Sequence, residues 1–342
     1  MEHVAIDLGG RESQICVRSP EGQVLEERRC PTARLKSYLA RRPRARVVLE
    51  SCAEAFRVAD HARAAGHEVV VVPSTLAPAL GVGARGLKSD VRDARNLSAA
   101  SCRMEELPRV HVPSEQSRRI KSICSLREGH IGARTLMVNA IRGWLRAMAQ
   151  GPMRSGVVET FPQRVRTHLA AQDVEVPAFI DRALGTIEHL SEQIEAADEE
   201  LAALVRSNDV CQRLMTVPGV GPVTAARFFA AIDDVTRFER AAQVQSYLGL
   251  TPGEDSSSDR QRTTAITKAG ATRVRWTLVQ AAWSAQRAKG RHPMLEWARQ
   301  VADRRGRRVA VIALARKIAG ILYAVWRDGT TYDSNHAPSR SD

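Results

Sequence analysis

Aromatic residues make up only 4% of the 342 residues, against 44% hydrophobic residues of all kinds, a balance that reads as a helix-rich soluble chain. The six cysteines, Cys16, Cys30, Cys52, Cys102, Cys124 and Cys211, form no Cys-x-x-Cys pair. That scatter argues against a zinc ribbon and for ordinary reduced thiols in a cytosol. No signal-peptide pattern is visible, since the N-terminus enters an apolar strand pattern at once. The most apolar late run, Val309 to Trp326, is broken by Arg316 and Lys317, so it is expected to be a buried helix and not a membrane span. Acid is in deficit: 38 Asp and Glu against 51 Lys and Arg leave a formal charge of +13. An excess of that size points to a polyanionic partner, nucleic acid first.

What is present begins with strands. His3 to Leu8 reads as a first strand, with Gln14 to Arg18 and Gln23 to Arg29 as antiparallel neighbours across turns at Gly9-Gly10 and Pro20-Glu21-Gly22. Leu35 to Leu39 reads as helix, Arg46 to Leu49 as a short buried strand ending at Glu50, Ala55 to Ala65 as helix and Glu68 to Val72 as strand. A three-stranded meander followed by alternating helix and strand is the order of a ribonuclease-H-like layer.

Lys88-Ser89-Asp90-Val91-Arg92-Asp93-Ala94 carries two carboxylates that fall on one face if the segment is helical. One reading is a helix start near Val91, with Ser89 or Asp90 as the N-cap and Asp93 favoured by the helix dipole. The other is a metal site. In a ribonuclease-H-like layer Asp7 on the first strand and Glu50 at the end of the fourth point at the sheet edge where this helix would pack. Carboxylates from three elements at one edge can hold two metal ions, and their convergence favours this second reading. Ile6-Asp7-Leu8-Gly9-Gly10 also has the look of the phosphate turn of sugar kinases and heat-shock ATPases. The chain shows no second glycine-rich phosphate loop to support that.

After Asp93 the pattern is helical. Ser114 to Ala149 carries Arg118, Arg119 and Arg127 among its cations, either a solvated basic face or a surface that tracks a nucleic-acid backbone. From Ile180 a heptad runs through Ala183, Ile187, Leu190, Ile194, Ala197, Leu201 and Leu204. Such a seam needs a second helix, and oligomerisation is favoured over a hairpin with residues 114–149. Pro218-Gly219-Val220-Gly221 lies between two short helical stretches and resembles the helix-hairpin-helix element. There the main-chain N–H groups around Gly219 and Gly221 would meet a phosphate; the alternative is a plain connection where glycine permits close packing. Gly253 to Arg262, with Ser256-Ser257-Ser258, reads as a polar, charged loop.

Taken in order, these residues resemble the DEDD transposases of insertion sequences, the group that includes site-specific DNA invertases and bridge-RNA-guided recombinases. The likeness runs from His3 to about Asp333 and includes Tyr247-Leu248-Gly249-Leu250-Thr251-Pro252 and Ile266-Thr267-Lys268-Ala269-Gly270. The resemblance implies that Asp7, Glu50, Asp90 and Asp93 form the acidic tetrad of a RuvC-like domain that binds magnesium or manganese. It also implies a nucleophilic serine, Ser257, five residues beyond Pro252. Ser-Cys-Ala follows Glu50 where relatives often have Ala-Thr-Gly, and Ser258 stands where a glycine commonly follows, which leaves Ser256 and Ser258 as adjacent candidates. A serine nucleophile conserves the phosphoester bond for rejoining, which hydrolysis by water cannot do. Lys88, Lys268, Arg273 and Arg275 are candidate phosphate contacts.

The expectation is therefore an α/β plus all-α protein. Residues 1–110 form a RuvC-like metal-binding domain, 111–208 a helical coiled-coil region for oligomerisation, 209–333 a helical C-terminal transposase domain with the serine and the helix-hairpin-helix element, and 334–342 a disordered tail. The expected partners are target and donor DNA, a structured guide RNA and further copies of the chain, as dimer or tetramer with a composite active site, in the bacterial cytosol. Rival readings are a hydrolytic RuvC-like nuclease or junction resolvase, a non-catalytic nucleic-acid scaffold and an ATP-binding kinase.

Overall fold

The computed structural model describes residues 1–81, 89–148, 153, 156–257, 260–287 and 292–334. The expected tail beyond Ser334, like Lys88 and Ser258, lies outside them. The chain divides into two compact units, Met1–Pro113 and Ser114–Asp342.

The first unit is a mixed five-stranded sheet with helices on both faces. Its strands are β1 (Glu2–Asp7), β2 (Glu12–Arg18), β3 (Val24–Pro31), β4 (Ala45–Glu50) and β5 (Glu68–Val72), in the order β3-β2-β1-β4-β5. The first two connections are too short for anything but hairpins, so β1, β2 and β3 pair antiparallel. Helices α1 (Leu35–Ala40) and α2 (Ala55–Ala64) fill the two longer connections, and β4 and β5 accordingly lie parallel to β1 and β4. Alternation along the strands then sorts the side chains. Val4, Ile6, Val47, Leu49 and Val71 join one core with α1 and α2, through Leu35, Leu39, Val58 and Ala62. Ala5, Val48, Val70 and Val72 join another with Leu97 and Ala100 of α3 (Asp90–Arg103) on the opposite face. This architecture is compatible with a ribonuclease-H-like domain, and the succession of strands and helices along the chain is the one read from the sequence.

The second unit is nearly all helix: α4 (Glu115–Ala147), α5 (Phe161–Ala170), α6 (Ala178–Arg206), α7 (Asp209–Leu214), α8 (Pro222–Ile232), α9 (Ala241–Tyr247), α10 (Thr272–Ala285), α11 (Pro293–Arg305) and α12 (Arg307–Asp328). Helix α8 is its centre, with every residue from Thr224 to Ile232 buried. Around it pack Leu248, Leu278, Leu314, Ile318 and Tyr323, and Phe229 stacks on Trp326 at 5.1 Å between ring centroids. Helix α12 is long and apolar enough to cross a membrane, yet Leu314, Ala315, Ile318, Ala319, Leu322 and Tyr323 are buried in this core, as the buried-helix reading expects.

Two expectations change here. The heptad of α6 is met by α4 of the same chain, the intramolecular alternative. The helices run antiparallel, joined by Arg119–Glu200 (3.0 Å), Arg127–Asp198 (2.6 Å) and Arg134–Ser191 (3.0 Å). At the far end of this pair Val138, Ile141 and Leu145 close over Ile180, Leu184 and Ile187 together with Phe161 and Leu169 of α5. The seam is thus already covered by an internal helix and supplies no argument for a second subunit. The serine segment, expected as a loop, is an antiparallel hairpin of β6 (Pro252–Ser257) and β7 (Arg260–Ile266). Its charged residues masked the signal, but Thr263, Thr264 and Ile266 are strand formers, and pairing to a partner strand outweighs polarity.

Candidate active site

Each acid of the expected tetrad is positioned by an element whose formation the local sequence explains. Asp7 ends β1, beside Leu49 and Glu50 at the end of β4, because Ile6 pairs with Leu49 in parallel register. Since Ala5 and Val48 face α3, Asp7 and Glu50, two residues further on each strand, fall on the same face. Both are half-buried. Ser89 caps α3, its hydroxyl accepting a hydrogen bond from the Arg92 N–H at 3.3 Å, and Asp90 and Asp93 occupy the first helical turn, where the dipole favours anions. The helix starts at Asp90, one residue earlier than expected.

Helix α3 runs antiparallel to β1. His3 Nδ1 meets Ser101 Oγ at 2.8 Å at the far end, and Arg18 Nε donates to Ser98 Oγ at 3.0 Å. Asp93 precedes Ser101 by about 12 Å of helix rise, and Asp7 follows His3 by about 13 Å of strand, so the two acids lie at one level. The transverse row Asp7, Gln14, Arg29 leads across the sheet to Asp90, whose carboxylate stands 3.8 Å from the Arg29 guanidinium. Asp93 is 4% exposed; Asp90 is open to solvent.

The structure therefore brings all four acids to one end of one sheet face. Hard carboxylate oxygens are the donor set that suits magnesium or manganese. Among the described residues, however, no three Asp, Glu, His or Cys side chains are gathered tightly enough to hold an ion as they stand.

In the second unit the described part of Ser256 and Ser257 is their main chain, at the outer end of the hairpin, where Ser256 pairs with Gln261 and Ser257 with Arg260. Several expected phosphate contacts prove to be engaged internally. Arg119 and Arg127 hold Glu200 and Asp198. Arg118 also takes part in an interaction. Arg275, expected at a phosphate, is 8% exposed and donates to the carbonyls of Leu248 (3.1 Å) and Ala269 (3.0 Å), so it is not available as a surface contact. Arg273 is exposed but bound to Glu128 at 2.5 Å. Lys268 is exposed, with a left-handed main chain at φ 56°.

Gly219 is glycine for packing: a Cβ there would stand 2.3 Å from the Ala281 carbonyl oxygen of α10. Gly221 has open space around it and caps α8 ahead of Pro222.

A cleft of about 320 Å³ between α4, α8 and α10 is lined by Lys121, Ser125, Arg227, Tyr247, Thr272 and Arg273. Arg227 and Glu128 were not found from sequence. Arg227 lies in an apolar helix that reads as core, and nothing in the spacing joins it to Glu128.

The comparisons bear on both units. A family model for DEDD-type IS110 transposases, described as "Transposase", matches residues 4–149, and one described as "Transposase IS116/IS110/IS902 family" matches residues 211–295. The first spans Asp7, Glu50, Asp90 and Asp93, the second Ser257. The chain belongs to the DEDD-type insertion-sequence transposases. Relatives extend along almost the whole transposase. A "Probable family 20 transposase" of Pseudomonas aeruginosa is 27% identical over 97% of this chain and 98% of its own length. The transposase for insertion sequence element IS1111A of Coxiella burnetii is 27% identical over 96% and 90%. The transposase for IS1328 of Yersinia enterocolitica is 26% identical over 96% and 98%.

Proposed function

We propose that this transposase cuts and rejoins DNA by transesterification through Ser257, with Asp7, Glu50, Asp90 and Asp93 as the divalent-metal ligands. The observation that carries the reading is the placement of the four acids. They come from two strand ends and a helix start, distant in sequence, and occupy one end of one sheet face in a protein with a charge of +13. Four carboxylates so placed repel one another, and a cation among them offsets that. When bound, magnesium or manganese would neutralise charge at the scissile phosphate and lower the pKa of the attacking hydroxyl.

In this reading Ser257 Oγ loses its proton and attacks phosphorus. An Oγ–P bond forms as the P–O bond of the strand breaks, and the departing oxygen takes up a proton. A second strand's hydroxyl end reverses the step on a new partner, so no bond energy is lost to water. Exposed Lys268, near the root of the serine hairpin, is a candidate to hold a flanking phosphate, and exposed Arg273 would do so by exchanging Glu128 for it. A structured RNA pairing with target and donor DNA in the cytosol would leave the protein to read backbone shape.

The test is a denaturing gel of the chain incubated with its own element's terminal DNA and copurified RNA. Wild type should give a covalent protein–DNA species that Ser257→Ala abolishes and Asp93→Asn reduces at least about 100-fold. Undiminished cleavage by Ser257→Ala without any adduct would replace the serine by water and make the protein a hydrolytic nuclease. Adduct lost in Ser256→Ala or Ser258→Ala instead would move the nucleophile by one residue. Mixing Asp93→Asn with Ser257→Ala restores activity if the site is built from two copies, and leaves it absent if each copy uses its own.

A further inference from the structure

The main-chain ladder of the serine hairpin does not stop at the register pair Pro252–Ile266. Thr267 N–H donates to the Thr251 carbonyl at 2.9 Å, and Lys268 N–H to the Gly249 carbonyl at 3.2 Å, so the entering and leaving chains stay zipped below the strands. The next step down is closed by a side chain. Arg275 Nη1 donates to Leu248 O on the entering chain and to Ala269 O on the leaving chain, and its Nη2 donates to Thr272 Oγ1 at 3.1 Å. The two chains approach so closely here that only glycine fits. A Cβ on Gly249 would lie 2.1 Å from Ala269 O and one on Gly270 2.0 Å from Tyr247 O, and both residues are left-handed, at φ 66° and 72°.

A buried cation spent on neutral oxygens is an expensive way to close a turn. The guanidinium's rigid fork spans all three acceptors at once, with Nη1 on the two carbonyls and Nη2 on the Thr272 hydroxyl at the start of α10, a fixed spread that a lysine's compact, rotating ammonium does not reproduce. We infer that Arg275 is a positioning residue for strand exchange: it locks the root of the β6–β7 hairpin to the start of α10 and so fixes where Ser257, at the hairpin's outer end, is presented. The inference rests on the serine reading above. A displacement of about 1 Å at a reacting atom can reduce rate by about 100-fold without changing affinity.

The experiment compares full-length wild type, Arg275→Lys and Thr272→Val. It measures covalent adduct with the element's terminal DNA, binding of that DNA, and mass-detected hydrogen exchange across residues 252–266. Arg275→Lys is expected to form adduct about 100-fold more slowly, with DNA affinity within about threefold of wild type and faster exchange confined to the hairpin. Thr272→Val, which removes one acceptor of the three, is expected to give a drop of several-fold in the same pattern, and decides the matter alone if Arg275→Lys does not fold. Wild-type adduct rate with wild-type hairpin exchange in the folded variants overturns the inference. Loss of DNA binding in step with adduct also overturns it, because Arg275 would then act as a phosphate contact. Failure of the serine reading is separately visible, as undiminished strand cleavage by Ser257→Ala.

Discussion

Glu128 joins two arginines of very different surroundings, and this difference makes its removal a quantitative test of how the second unit is held together. Its carboxylate, 21% exposed, pairs with Arg227, whose side chain is 6% exposed, and with Arg273, which is 59% exposed. Arg227 keeps a hydrogen bond to the Cys124 carbonyl at 3.1 Å, but its Nε has no partner, so Glu128 is the group that compensates its burial. Removing one partner of a buried pair costs about 3–5 kcal/mol, and partial water access to Glu128 places Glu128→Ala near the lower end, at about 3 kcal/mol. The exposed arm contributes at most about 1 kcal/mol. In a unit of this size each kcal/mol moves Tm by about 2–4 °C, so Glu128→Ala should fall by roughly 6–12 °C and Arg273→Ala by no more than about 4 °C. Replacing the cation as well, in Glu128→Ala/Arg227→Met, should recover much of the loss, because an apolar side chain needs no counter-charge. Calorimetry on the purified chain reads all three. Equal shifts for Glu128→Ala and Arg273→Ala, or no recovery in the double variant, would refute the reasoning. Arg273→Ala should also lower the salt dependence of DNA binding by about one counterion if that residue meets a phosphate.

Gly219→Ala should cost about 3 kcal/mol or more from overpacking against α10, whereas Gly221→Ala should stay within about 1 kcal/mol; paired urea melts distinguish them. A phosphate-binding turn predicts in addition that Gly221→Ala weakens DNA binding while stability holds. Burial pushes the Cys211 thiol up to about 12 and raises Cys124; desolvation raises Cys52 as well, but Cys52 alone of the three is exposed to reagent, so iodoacetamide on the native chain should label it well before either buried thiol. Urea should abolish the order, and early labelling of Cys211 would contradict its placement. Desolvation, helped by Arg46, holds the His3 imidazole below its ordinary pKa, so the unfolded chain binds its proton first. That contribution is complete above about pH 6.5 and is lost as pH falls below it. His3→Gln should flatten the acid limb of a pH-stability curve for this sheet, and an unchanged limb would remove His3 from the account.

Local chemistry made much of this protein legible before any fold was in view. Short continuous apolar runs in β1 and β4 set the strands, short turns imposed the meander, and Ser89 marked a helix start with two acids behind it. Those signals act within a few residues, so they survive in one dimension, and together with the order of motifs they were enough to place Asp7, Glu50, Asp90 and Asp93 on a common edge. What they could not determine is which partner each surface finds. The α6 heptad specifies a seam but not its mate, and antiparallel packing on α4 decided it, along with pairing Arg119 and Arg127 to acids some 70 to 80 residues away. Charge along the serine segment reads as loop, because the ladder that makes it a hairpin lies between its two halves. Arg275 and Arg273 are two residues apart in one helix and alike in sequence, yet one is buried under two carbonyls and the other reaches solvent. Helix periodicity gives a side chain its direction, and only the packed neighbours give it an environment.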